Sequence, residues 1–373
     1  MKQSISHGNR LHIVLYGAVN SGKSTLFNLL LGQEASIVSD IAGTTTDAVS
    51  KAVELPGVGA VVLVDTPGVG DDTQLGHKRM EVTERALRHA DVILCLLSEG
   101  EKVEQRLEKQ YPRAKVIPVY SGVDERHHSS TKRRDEIIKM IVEALSEHRV
   151  EERSITGSLA KRGDLVILVM PQDKAAPKGR LILPQVQTLR ELLDKGCQVL
   201  CLQPSEFTAT LAKLLGLPDL VITDSQVFNE VEQMMPDGVP LTSFSVLMSA
   251  YKGSLPELLA GAEVLNSLKP NARVLIAEAC SHTPTTEDIG RVKLPLMLQK
   301  RYGAQLVIDH VNGNDFPTDL TKYDLIIHCG ACMFNRQHLL NRQEMAGAQG
   351  VPMTNYGIAI AAIQGILGKI ALP

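Results

Sequence analysis

Two stretches of this chain combine residue types and spacings suited to chemistry. The first, Gly17-Ala-Val-Asn-Ser-Gly22-Lys23-Ser24, fits the phosphate-loop pattern G-x-x-x-x-G-K-[ST]. In such a loop the glycines let backbone N–H groups wrap an anion, the lysine reaches the terminal phosphates and the hydroxyl ligates Mg²⁺. Gly17, Asn20, Ser21, Gly22, Lys23, Ser24 and Thr25 are therefore candidate nucleotide contacts, with Ser24 also a Mg²⁺ ligand. Asp65-Thr-Pro-Gly68 supports this: its carboxylate can hold the metal's ligand shell, and Gly68 can donate its N–H to a γ-phosphate. Gly43-Thr44-Thr45-Thr46-Asp47 is a polar loop suited to a switch, in which a threonine completes Mg²⁺ coordination when triphosphate is bound. Val69 follows Gly68 where Ras-like switches place a water-orienting glutamine, so slow intrinsic hydrolysis is expected.

The base-reading part is degenerate. Asn-Lys-x-Asp should follow a late strand, and the nearest counterpart is Ser121-Gly-Val-Asp124. Asp124 can still accept from a guanine ring, but the Asn and Lys are missing. An alternative alignment makes Val116 to Ser121 the final strand with its base loop. Either way one strand–helix unit is absent, because a single helix follows.

The second stretch pairs Cys280-Ser-His282 with His328-Cys329-Gly-Ala-Cys332. Each cluster follows an apolar strand run, and carboxyl ends of parallel strands are where loops converge into binding crevices. Three thiolates with a nitrogen or oxygen ligand suit Zn²⁺ or an iron–sulfur cluster, and residue types alone do not separate the two. Cys95, Cys197 and Cys201 lie in or beside apolar strands and read as core residues.

The elements that must position these groups read as α/β. His12 to Tyr16 leads as a strand into the glycine-rich turn, and Thr25 to Leu31 follows as a helix; Val61 to Val64, Val92 to Leu97 and Val116 to Tyr120 continue the rhythm of a parallel sheet. A helix over Arg134 to Leu145 and a charged linker close a first domain, 1–152. A second α/β domain, 153–253, begins with Leu165 to Met170 and ends at a Gly-containing turn around Ala250 to Ser254. A third, 254–373, alternates Val274 to Ala277, a helix over Arg291 to Tyr302, Gln305 to Val311, Leu325 to His328 and a helix over Arg336 to Ala348. No internal repeat is evident.

Length and composition agree with this. At 373 residues, two or three domains are expected. Hydrophobic residues at 44% and charged residues at 22% exclude a disordered chain. A net charge of -3 with only 3% aromatics argues against nucleic-acid binding. The polar first residues and the interrupted apolar run Tyr356 to Pro373 point to a cytoplasmic protein without a membrane span, and cysteine spacing in such a protein points to metal or redox use rather than disulfides.

The phosphate loop, the threonine-rich loop and Asp65-Thr-Pro-Gly68 resemble the TrmE/Era group of GTPases. That resemblance implies that Thr45 contacts Mg²⁺ and that Asn20 helps bind K⁺, as in potassium-activated members. The order of phosphate loop, Asp-Thr-Pro-Gly, Cys-x-His and His-Cys-x-x-Cys resembles the HydF family of [FeFe]-hydrogenase maturation factors along essentially the whole chain. Gly163 to Gln187, including Ala176-Pro-Lys-Gly-Arg-Leu-Ile-Leu-Pro-Gln-Val-Gln187, looks like that family's dimerisation domain, while Glu278 to His282, Asp288 to Lys293, His328 to Cys332 and Thr354 to Gly357 look like its cluster domain. The resemblance implies GTP with Mg²⁺ in the first domain. It also implies a [4Fe–4S] cluster on Cys280, Cys329 and Cys332, with His282 and His328 as fourth ligand or supporting residues. It further implies a homodimer or larger homo-oligomer that receives a two-iron precursor from the radical enzymes HydE and HydG and passes it to the hydrogenase. Two other readings use the same residues: a cluster scaffold without efficient guanine-specific hydrolysis, and a zinc-stabilised assembly GTPase.

Overall fold

A computed structural model describes residues 10–32, 48–69, 74–97, 103–120, 130–147, 154–172, 181–279, 289–313, 315–331 and 334–373. The chain forms two compact units, Met1–Glu152 and Arg153–Pro373.

In the first unit β1 (Leu11–Gly17), β2 (Val49–Leu55), β3 (Gly59–Asp65), β4 (Val92–Leu97) and β5 (Lys115–Tyr120) form one sheet in the order β2-β3-β1-β4-β5. All neighbours are parallel except β2, which runs antiparallel to β3. Alternation sends Ile13 and Leu15 to one face and Val14 and Tyr16 to the other. The first face packs on α1 (Lys23–Leu31) and α4 (Ser130–Glu147), through Leu26, Leu30, Ile137 and Ile141. The second packs Leu87 of α2 (Gln74–Leu87) and Leu107 of α3 (Val103–Gln110). A sheet covered on both faces accepts continuous apolar strands, which is why all six residues of β4 are buried. Past β5, the sheet's last strand among the described residues, α4 lies against α1, and Arg134 donates to the Leu30 carbonyl at 3.4 Å.

The second unit contains two four-stranded parallel sheets. β6 (Leu165–Val169), β7 (Gln198–Leu202), β8 (Leu220–Thr223) and β9 (Leu241–Ser243) are ordered β7-β6-β8-β9; β10 (Arg273–Ala277), β11 (Val307–Val311), β12 (Leu325–His328) and β13 (Met353–Asn355) are ordered β11-β10-β12-β13. The first sheet carries α5 (Leu183–Asp194), α6 (Phe207–Leu211), α7 (Phe228–Glu232) and α8 (Phe244–Lys252). After α9 (Leu255–Glu263), the second carries α10 (Leu294–Tyr302), α11 (Arg336–Ala348) and α12 (Tyr356–Gln364). One core runs through both sheets, joining Ile167 and Val221 to Val274, Ile276 and Ile327.

These two sheets are copies of one plan, contrary to the expectation of no repeat. In each, an aspartate opening the third strand accepts the first N–H of the first strand: Leu165 N to Asp219 Oδ2 at 2.8 Å and Arg273 N to Asp324 Oδ2 at 2.7 Å. In each, the last strand ends on a side chain that caps the following helix, Ser243 for α8 and Asn355 for α12. The matched segments, Asp219-Leu-Val-Ile and Asp324-Leu-Ile-Ile, are too short to stand out from sequence alone. Cys201 is a second correction. It is exposed on β7, which is an edge strand, whereas Cys95 and Cys197 are buried.

Glu191 of α5 fixes where the chain enters the second unit. Its carboxylate accepts from the Thr156 N–H at 2.9 Å, the Thr156 hydroxyl at 2.8 Å, the Ser154 hydroxyl at 2.9 Å and the Ile155 N–H. Burial opposes its ionisation, but the Thr156 and Ile155 N–H groups and the Thr156 and Ser154 hydroxyls outweigh burial and hold the carboxyl below its ordinary range. A depressed carboxyl adds stability that is complete above about pH 4.5 and is lost as pH falls through the lower, folded-state value. Glu191→Gln is expected to destabilise the protein by about 2–3 kcal/mol at pH 7. In urea unfolding the gap from the unmodified protein should narrow as the pH drops below about 4.5.

Candidate functional site

The phosphate loop connects β1 to α1. A Cβ on Gly17 would come within 2.7 Å of Ser21 Oγ and 2.9 Å of the Leu96 carbonyl, so no larger residue fits. Asn20 turns the loop through a left-handed conformation, φ 62°, and is exposed, as is Thr25 in the first turn of α1. Lys23 is buried, and its ammonium donates to the Gly17 carbonyl at 3.0 Å and the Ala18 carbonyl at 2.6 Å. The loop thus supplies its own substitute for an anion. Burial pulls Lys23 below its ordinary value, and Asp65 partly restores it.

Asp65 ends β3 facing this lysine. Ser24 donates to Asp65 Oδ2 at 2.8 Å, while Asp65 Oδ1 is buried with no hydrogen-bond partner. Burial pushes the Asp65 carboxyl up, against the Ser24 hydrogen bond and the Lys23 charge. A buried carboxylate with one oxygen unpartnered, beside a serine hydroxyl, is the donor set a hard divalent cation takes. The strap after Asp65 is tied to the phosphate loop: Val19 N donates to the Val69 carbonyl and Val69 N to the Gly17 carbonyl, both at 3.2 Å. Gly68 is pressed on this bridge, since a Cβ there would meet Val19 Cα at 2.6 Å. Gly17, Ser21, Gly22, Lys23, Ser24, Asp65 and Gly68 therefore form one site at the carboxyl edge of the sheet. Thr45 and Asp124 lie outside the described residues.

In the second unit Cys329 follows β12, and Ala279 lies two residues past β10. These strands are neighbours in register, Ala277 opposite His328, so Ala279 N donates to Cys329 Sγ at 3.0 Å. This brings the residue before Cys280 against the first cysteine of the Cys-x-x-Cys pair. Cys280, His282 and Cys332 lie outside the described residues, and no three metal-ligating side chains converge among the described ones. In the repeat, Cys329 takes the place of Asp224, which accepts from Gln185 at 2.8 Å.

His328 is fully buried and both its ring nitrogens are engaged. Nδ1 donates to the Cys329 carbonyl at 2.6 Å, which leaves Nε2 to accept from Arg342 at 2.7 Å. Burial, with the Arg342 charge, lowers its pKa to about 3, so the ring is neutral. With both ring nitrogens engaged, His328 links Arg342 to the Cys329 backbone. Arg342 is itself buried, donates to the Gly313 carbonyl and lies 4.6 Å from the Phe316 ring centroid. Burial lowers its pKa to about 10, with Cys329 acting in the opposite direction.

Sequence reading missed Arg342, Lys252 and Glu278. Lys252, at the end of α8, donates to the Ala331 and Phe334 carbonyls. Buried Glu278 receives two bonds of 3.1 Å from Arg291, which lies in a π-helical turn, Ile289–Lys293, preceding α10. Such turns inside helices gather at functional sites. Only Glu278 and Arg291 gave any signal, as members of segments already singled out around the cysteine motif.

Three domain profiles match the chain: the 50S ribosome-binding GTPase domain over residues 12–122, the hydrogen maturase F dimerization domain over 155–253 and the hydrogen maturase F tetramerization domain over 256–372. The two maturase profiles meet at the junction between the copies. The tRNA modification GTPase MnmE of Neisseria meningitidis is 39% identical over 125 residues, covering 32% of this chain and 28% of that protein. The GTPase Era of Aquifex aeolicus is 31% identical over 183 residues, covering 47% of this chain and 59% of that protein. The chain thus spans less than two thirds of either relative. Among solved structures, Era in complex with MgGDPNP and a 16S ribosomal RNA fragment matches 53% of this chain and 94% of that one, at 19% identity and a TM-score of 0.31. That score is too low to support any structural equivalence.

Asp65→Asn should raise the melting temperature of the ligand-free protein, because it removes a buried carboxylate with an unpartnered oxygen. It should also reduce Mg²⁺-dependent nucleotide retention on the order of 10–100-fold. Thermal unfolding with and without Mg²⁺ and nucleotide measures both.

Proposed function

Since the chain belongs to the hydrogen maturase F family, carrying its dimerization and tetramerization domains behind a GTPase domain, we propose that it is a maturation scaffold for [FeFe]-hydrogenase. In this reading it is a cytoplasmic homo-oligomer that holds a [4Fe–4S] cluster and carries a two-iron precursor from HydE and HydG to the hydrogenase. GTP binding and hydrolysis gate its partners. One observation carries the reading: Cys329 stands at the carboxyl end of β12, hydrogen-bonded at sulfur to the residue that precedes Cys280.

The donor set fits the cluster. Cys280, Cys329 and Cys332 would hold it, since soft thiolates are the ligands iron–sulfur centres take. A buried guanidinium behind Cys329 suits the negative charge that such a group brings. With His328 committed elsewhere, His282 or an exogenous group is left for the fourth position. When bound, the cluster supplies an exchangeable coordination site to which a bridging ligand can attach the precursor.

At the nucleotide site, Lys23 exchanges its two carbonyl partners for phosphate oxygens. Ser24, Asp65 and Thr45 would hold Mg²⁺, which would supply charge neutralisation to the nucleotide's phosphates. Asn20 would help bind K⁺, as the resemblance of the loop to potassium-activated GTPases implies. Val69 offers no polar side chain to orient water, so turnover is slow and the nucleotide acts as a switch. Asp124 reads the base. A second reading, a cluster scaffold without guanine-specific hydrolysis, is favoured by one observation: β5 ends the described sheet and α4 packs directly against α1.

The test is activation of apo-hydrogenase by protein co-expressed with HydE and HydG. The unmodified chain should activate it and Cys329→Ser should not; equal activation by both would overturn the scaffold assignment. Turnover of GTP well above that of ATP is expected, and equal, background-level turnover of both would select the second reading.

A further inference from the structure

Lys252 closes the first copy of the repeated sheet, yet its ammonium belongs to the loop of the second. It is 1% exposed, and Nζ donates to the Ala331 carbonyl at 2.8 Å and to the Phe334 carbonyl at 2.9 Å. These acceptors lie on either side of positions 332 and 333. Ala331 is fully buried and left-handed, φ 48°, a conformation that a residue with a Cβ adopts only when its surroundings enforce it. The Lys252 hydrogen bond to its carbonyl is such an enforcement. On the other flank Arg342, 4% exposed, braces Cys329 through His328. Buried cations are costly to keep away from water, and two of them bracketing one thiol-bearing loop are matched to an occupant of negative charge.

We infer that Lys252, a residue of the self-association module, is a positioning residue for the thiolate centre: it ties down the Ala331 and Phe334 carbonyls that flank the second motif cysteine in sequence and supplies positive charge to an anionic, thiolate-bound group. The inference rests on the cluster reading of Cys329. It adds that the dimerization module contributes a residue on which the centre's affinity and electronic properties depend.

The experiment compares full-length protein with Lys252→Met, Lys252→Arg and the double variant Lys252→Met, Ala331→Gly after anaerobic loading with iron and sulfide. Circular dichroism and gel filtration establish that each folds and assembles. Lys252→Met is expected to lose bound iron to a chelator on the order of 10-fold or more faster, and its reduction midpoint should move to lower potential. Lys252→Arg should restore both in part. The double variant, freed of the left-handed constraint, should regain iron retention but keep the lowered midpoint. A folded Lys252→Met protein with unchanged retention and midpoint would overturn the inference. Should the unmodified chain take zinc instead of iron and sulfide, the cluster reading fails separately. Lys252 would then be tested by chelator competition for zinc, where weaker retention in Lys252→Met supports its positioning role and equal retention removes it.

Discussion

A parallel strand cannot be joined to its neighbour by a tight turn; the chain must cross back over the sheet first, so every strand of such a sheet delivers its carboxyl end to the same edge. That constraint decides where chemistry can sit in this molecule. In the first unit it places the loop after β1 against the strap after β3, and Ser24 meets Asp65 across 41 positions of sequence. In the second it places the chain after β10 against the chain after β12, and Ala279 meets Cys329. The aspartates that open β4, β8 and β12 serve the same arrangement at the opposite edge. Each accepts the N–H of the central strand, His12, Leu165 or Arg273, that its strand pairs with.

Both sites also solve one electrostatic problem in the same way. Each holds a buried lysine whose ammonium rests on backbone carbonyls, Lys23 on Gly17 and Ala18, Lys252 on Ala331 and Phe334. Carbonyl oxygens accept from these donors without themselves carrying charge; at Lys23 the Asp65 carboxylate adds a partial counter-charge. For Lys23 the anion is a phosphate that can displace the carbonyls. For Lys252 the proposed partner is a thiolate-bound group that would be held while the carbonyls stay in place. At matched strand ends the duplicated sheet carries Asp224 in the first copy, accepting from the Gln185 side chain, and Cys329 in the second, accepting from the Ala279 N–H.

The parts of this account legible in the sequence were those encoded locally. The phosphate loop, the continuous apolar runs of β4 and β12 and the helix Arg336–Ala348 need only neighbouring residues to specify them. What escaped depends on distant partners or short segments. β2 is an edge strand with mostly exposed side chains and so shows no apolar run, and β9 and β13 have three residues each. Lys252 reads as an ordinary helix-ending lysine until α8 is seen to deliver it to a loop 79 positions away. His328 reads as a fourth ligand or a supporting residue, and its contact with Arg342, fourteen positions on, is invisible in the sequence. Cys201 reads as core until β7 proves to be an edge.

The central claim is that the second unit carries an iron–sulfur centre on Cys280, Cys329 and Cys332. The most direct measurement is anaerobic reconstitution with iron and sulfide, followed by metal analysis and low-temperature EPR of the reduced protein, with Cys329→Ala prepared in parallel. The account predicts about four iron and four sulfide per chain, with a cubane-type signal that is lost in Cys329→Ala. Tightly bound zinc with no such signal would contradict it.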